Sequence, residues 1–147
     1  MKKIGILTAV LGSLIVGISY PAIAAPIDGA CWVLGVREPD SNIYDGPTTC
    51  GDIALSYLTV RGPLKLDSTK ITGITTVSGP IKATGATLQD VILEKTLSAE
   101  TVTLESATLV NGDITFKGKE GIVYVDSASK IKGKVINGKV INQDAPH

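Results

Sequence analysis

The chain has 147 residues with 14 basic and 14 acidic side chains, so it is formally neutral. That balance excludes the basic surface nucleic acid requires, and 4% aromatic residues leave few platforms for stacking bases. The single histidine is His147, the last residue, so a Ser-His or Cys-His nucleophile has no fixed base and no enzymatic activity is expected.

Lys2 and Lys3 precede an apolar run from Ile4 to Ile18, which Tyr20-Pro21 breaks before Ala22-Ile23-Ala24. A basic start, an apolar centre and a small-x-small site read as a secretory signal peptide over residues 1–24. The run is shorter than the roughly 20 residues that span a bilayer, so no transmembrane segment is expected after cleavage. The mature chain would hold 123 residues (147 − 24) and reside in the periplasm, at the cell surface or outside the cell.

Residues 25–57 carry Cys31, Cys50 and the turn signals Glu38-Pro39-Asp40 and Asp45-Gly46-Pro47. Two cysteines in an exported chain predict a disulfide, and with no histidine nearby they cannot complete a tetrahedral metal site. No metal or cofactor is expected. The segment reads as an N-terminal cap with Trp32 plugging the open core, the alternative being an exposed platform for a sugar.

Residues 58–133 repeat. Thr59-Val60-Arg61-Gly62-Pro63-Leu64-Lys65-Leu66 returns 17 positions later as Thr76-Val77-Ser78-Gly79-Pro80-Ile81-Lys82-Ala83. Leu64, Ile81, Leu97, Ile114 and Ile131 continue the series, as do Leu66, Ala83, Ala99, Phe116 and Gly133. A fixed period with alternating apolar residues and glycine or proline corners predicts a β-solenoid of four to five coils, about 17 residues each. Parallel crossovers are nearly always right-handed, so the expected fold is all-β, a right-handed parallel β-helix. The third repeat replaces Gly-Pro with Glu94-Lys95-Thr96, one residue short, and the fourth is lengthened at Lys117–Gly121.

Residues 134–147 complete the chain. Asn137-Gly138 lies between two Val-Ile pairs, which predicts a closing hairpin or a last narrow coil, followed by a tail. Lys130, Lys132, Lys134 and Lys139 gather here, where lysines discourage edge pairing. With Trp32 and Tyr124, the lysines Lys130, Lys132 and Lys134 form the candidate ligand face. Glu94, Glu100 and Glu105 are read as a solvated group rather than a carboxylate pair.

Other repeat classes fit less well. Hexapeptide order at Ile71, Val77 and Ala83 ends after three units, and pentapeptide order fails at Ser98. Thr101-Val102-Thr103 does not recur, against an ice-binding face. An antiparallel sandwich is the runner-up fold, but its strands do not repeat in sequence so closely.

The apolar columns near period 17, with Gly-Pro or Asn-Gly corners, resemble the bactofilins over residues 58–133. The resemblance implies a small β-helix without an active site, from a family that polymerises end to end. The signal peptide, the cysteine-bearing cap and the lysine-rich end depart from it. The expected function is therefore an exported, non-enzymatic β-solenoid with a structural or interaction role in the bacterial cell envelope. The alternative is a module that binds a glycan or other envelope polymer along one face. The partner is left open between an envelope polysaccharide and another protein, and a monomer is expected, with end-to-end assembly as the alternative.

Overall fold

Short alternating strands cannot bury their apolar side alone, and stacking them coil on coil buries it while satisfying the backbone between coils. The computed structural model of the protein describes residues 30–97 and 100–143. It is a β-solenoid of about six turns, with no helix among the described residues. The predicted signal peptide lies outside the described residues, as do Asp144 to His147.

The N-terminal strands are β1 (Ala30–Val33) and β2 (Val36–Arg37), and β3 (Ile43–Asp45) opens the solenoid. Five coils of three strands follow. The first is β4 (Thr48–Gly51), β5 (Ala54–Leu55) and β6 (Leu58–Arg61), and the second is β7 (Leu64–Asp67), β8 (Lys70–Ile71) and β9 (Thr75–Val77). The third is β10 (Ile81–Thr84), β11 (Thr87–Leu88) and β12 (Val91–Leu93). The fourth is β13 (Thr101–Glu105), β14 (Leu109–Val110) and β15 (Ile114–Phe116). The fifth is β16 (Gly121–Val125), β17 (Lys130–Ile131) and β18 (Val135–Ile136), and β19 (Gly138–Asn142) begins another turn.

These strands make three faces. The first is the seven-stranded sheet β1-β4-β7-β10-β13-β16-β19, the second the five-stranded sheet from β5 to β17, and the third the seven-stranded sheet from β2 to β18. All neighbours pair in parallel except β1 on β4 and β2 on β3, which are antiparallel.

The solenoid therefore starts at Ile43, not at residue 58. Gly46-Pro47-Thr48-Thr49-Cys50 occupies the corner and strand that Gly62-Pro63-Leu64-Lys65-Leu66 occupies one coil later. Of the two closures expected for the C-terminal end, the structure has the further coil and not the hairpin. β18 pairs with β15 and β19 with β16, so Asn137-Gly138 is one more solenoid corner. Its Asn137 amide donates to the Phe116 and Gly118 carbonyls, which ties that corner to the preceding coil.

The 17-residue step holds from Leu64 to Ile81. Ile81 then pairs with Val102, a step of 21 (102 − 81), because the corner after β12 is longer. The shortened third repeat is thus an expansion. Leu97 is fully exposed, and Ile114 belongs to the third face, where it pairs with Val91. Ile131 belongs to the second face, where it pairs with Val110.

The core is made of inward columns. One runs Leu66, Ala83, Leu104, Val125, and another Val60, Val77, Leu93, Phe116. All eight are buried. Each fully buried Leu contributes about 1.5–3 kcal/mol relative to exposure.

Corners repeat as faithfully as strands. Asp52, Ser68, Gly85 and Ser106 all take positive φ at the bend between the first and second faces. Thr69 and Thr108 follow two such bends. Both are buried, and each hydroxyl shares its one hydrogen between a carbonyl of its own coil and one of the preceding coil.

Candidate functional site

The disulfide fixes which side of β1 faces the core. Cys31 bonds Cys50, with an S–S distance of 2.03 Å, and Cys50 is fully buried. Side chains alternate along a strand, so Cys31 and Val33 pack on the core while Trp32, between them, lies on the outer side. Trp32 is half-buried and does not plug the solenoid, which corrects that expectation.

Trp32 heads an outward column of the first face. Its cross-strand partner is Thr49, followed in register by Lys65, Lys82, Thr103 and Tyr124. Strands lie about 4.8 Å apart, so five steps place the two rings about 24 Å from each other along the solenoid axis. The third face carries a second outward column, this one without charge: Ile43, Thr59, Thr76, Ile92, Thr115 and Ile136. Single threonines stack there with isoleucines interrupting the rank, while Thr101-Val102-Thr103 has no counterpart in the adjacent coils.

Beside the Trp32 column runs a row of corner prolines, Pro47, Pro63 and Pro80, each one residue before its strand on the first face. The preceding glycines allow it. A Cβ on Gly62 would come within 2.8 Å of the Gly46 carbonyl carbon, and one on Gly79 within 2.7 Å of the Gly62 carbonyl. Gly62 also has φ 149°, a region L side chains avoid. Coils therefore approach closely at this corner only because each carries glycine.

Between the proline row and the column of Thr49, Lys65, Lys82 and Thr103 lies a groove of about 300 Å³, running across the strands. Its walls carry two lysines and no acidic side chain. Lys82 Nζ lies 3.8 Å from Glu105 Oε1 at the outer margin, and both side chains are more than a third exposed. The proline carbonyls are engaged between coils: Leu34, Thr48 and Leu64 N–H groups donate to Pro47, Pro63 and Pro80. Proline itself brings no N–H.

The structure does not bring the predicted ligand residues together. Trp32 and Tyr124 share one column. Lys130 lies on the second face beside Leu109, and Lys132 and Lys134 flank the next corner. The lysines on the aromatic column are Lys65 and Lys82, which the sequence reading passed over because they sit inside the ordinary repeat. A second hollow, of about 470 Å³, opens at the C-terminal end among Val125, Ile131, Val135 and Val140, with Lys130 at its rim.

Glu100 immediately precedes β13 and Glu105 ends it, about 16 Å apart at strand rise, beyond the reach of paired carboxylate chemistry. Glu100 is 4% exposed; its Oε2 accepts from the Thr96 N–H at 3.4 Å. Glu100 is thus buried, not solvated as expected. His147 lies outside the described residues.

No family model matches the chain, and neither does any curated protein or solved structure. The likeness to bactofilins therefore stops at the stacked coils and their spacing of about 17 residues.

Proposed function

We propose that this chain is an exported, non-enzymatic β-solenoid with a structural or interaction role in the bacterial cell envelope. The observation that carries this reading is the outward column from Trp32 to Tyr124, an unbroken line of contact side chains crossing six strands. Such a surface suits a partner gripped at many weak points rather than a substrate held at one. The Cys31–Cys50 disulfide supports an oxidising compartment, in keeping with the leader-like residues 1–24. Expression of the full chain in a bacterial host, followed by fractionation and N-terminal sequencing, tests it. Ala25 as the first residue, with the protein in the periplasmic or envelope fraction, is the expected result. An intact leader on a cytosolic protein would sink the proposal.

A second reading, a module that binds an envelope polymer, is favoured by the aromatic rings at both ends of the column. A third possibility, stacking of whole solenoids, is read from mass in solution. The N-terminal edge carries antiparallel β1 and β2, whereas β17, β18 and β19 are the outermost strands at the other end. Lys130 and Lys139 lie on those outermost strands, with Lys132 and Lys134 between β17 and β18, and they oppose pairing there. Light scattering should accordingly give a monomer mass with the disulfide intact.

A further inference from the structure

We infer that the groove between Pro47, Pro63 and Pro80 and the Lys65–Lys82 column binds a linear acidic polysaccharide lying along the solenoid axis. This rests on the polymer-binding reading and adds the site and the chemical class.

The shape comes first. The groove runs across the strands, so its ligand passes over side chains and does not extend a sheet. A peptide strand would seek backbone partners, and this groove has none to offer. Its prolines lack N–H groups, and their carbonyls are already bonded between coils. A polysaccharide needs no such partners. It presents hydroxyls, which Thr49, Thr101 and Thr103 can meet, and apolar ring faces, which pack on proline and aromatic rings.

Charge gives the class. Lys65 and Lys82 are direct cross-strand neighbours, and no acidic side chain lines the groove. Like charges directly opposite are unfavourable in a sheet, so this pair is a cost that an anionic ligand would relieve. Lys65 has no ion pair among the described residues; Lys82 has only the long, exposed contact with Glu105. Trp32 and Tyr124 stand beyond the two ends, about 24 Å apart, where rings further along the same chain would stack.

The test uses the oxidised mature protein and three probes: hexagalacturonate, neutral cellohexaose and poly-L-glutamate. Trp32 is the only tryptophan, so its fluorescence reports one end of the groove, with calorimetry as the second readout. Hexagalacturonate is expected to bind and to weaken with salt. Lys65→Gln with Lys82→Gln, or Tyr124→Ala, should each weaken it about tenfold or more, the scale of a lost charged or stacking contact. Lys130→Gln with Lys134→Gln should leave it unchanged, and thermal melts should show every variant folded, the Lys65 and Lys82 double variant being no less stable than the parent.

Hexagalacturonate binding that survives the groove substitutions but falls in the Lys130 and Lys134 variant overturns the site and leaves the polymer-binding reading standing. Cellohexaose binding as tightly, without salt dependence, overturns the acidic class alone. Poly-L-glutamate displacing hexagalacturonate at equal charge overturns the polysaccharide in favour of an acidic peptide. Failure of every probe to bind overturns the inference and the polymer-binding reading together.

Discussion

Trp32 and Tyr124 stand in one cross-strand column although 92 residues (124 − 32) separate them in the chain. Five pairings in register carry the alignment, and the first of them, Trp32 with Thr49, adjoins the Cys31–Cys50 bond. The ring at the N-terminal end is thus held by the disulfide next to it.

Reduction should therefore be felt in both stability and fluorescence. The bond joins residues 19 apart in sequence, and closing a loop of that size stabilises by about 3 kcal/mol in the chain-entropy model. The expected outcome is a lower urea midpoint in reductant, with Trp32 emission shifted to the red. An unchanged midpoint would mean that the β1–β4 ladder holds the cap unaided.

Thr75 is the polar interruption in the column Leu58, Thr75, Val91, Ile114 and Val135. It is fully buried, and its hydroxyl has no hydrogen-bond partner. Thr75→Val keeps the shape and removes the unsatisfied group, so it should stabilise the protein by about 1–2 kcal/mol. Chemical denaturation of the two proteins measures this. A less stable variant would imply an ordered water bonded to that hydroxyl.

The Gly-Pro corner offers a paired comparison. Gly62→Ala places a methyl against the Gly46 backbone at positive φ, and should cost about 2 kcal/mol or more. Gly51→Ala meets nothing within 4 Å and should be neutral or slightly stabilising through the unfolded chain. Equal effects at the two positions, read from thermal midpoints, would rule out close stacking of the corners.

These same corners explain what the sequence made legible. Gly62-Pro63 and Gly79-Pro80 give the register of Leu64 with Ile81, because a tight corner admits no length change. Beyond Ile81 the motif is lost, and the columns slip. A three-faced coil returns an inward apolar residue every five or six positions, so a chain misaligned by one face still matches. That is how Leu97, fully exposed, and Ile114, from another face, fell into the series with Leu64. Asp45-Gly46-Pro47 did announce the first coil, but Thr48 and Cys50 stand where later coils have Leu64 and Leu66, which hid it. The outward placement of Trp32 was also within reach, since a residue next to an inward-facing cystine must point the other way. The groove was not legible, because Lys65 and Lys82 acquire meaning only when their strands are paired.

Asp126 links the last coils through its carboxylate. Oδ2 accepts the Ser106 N–H at 2.9 Å, across to the preceding coil, and Oδ1 accepts the Ala128 N–H at 3.2 Å. The Ser106 N–H first, then the Ser129 hydroxyl, hold its pKa below the ordinary carboxylate value. A carboxyl depressed on folding adds stability at pH values above its unfolded pKa, about 4, and loses it as pH falls through the folded value. Asp126→Asn should thus be less stable than the parent at neutral pH, and the gap should shrink from about pH 4 downward. Urea midpoints of both proteins across that range measure the gap. The site is exposed, so salt screens part of the effect, yet the backbone bonds to Ser106 and Ala128 depend on contact and persist. A gap that stayed constant with pH would mean that the shape of the side chain, rather than its charge, supports the corner.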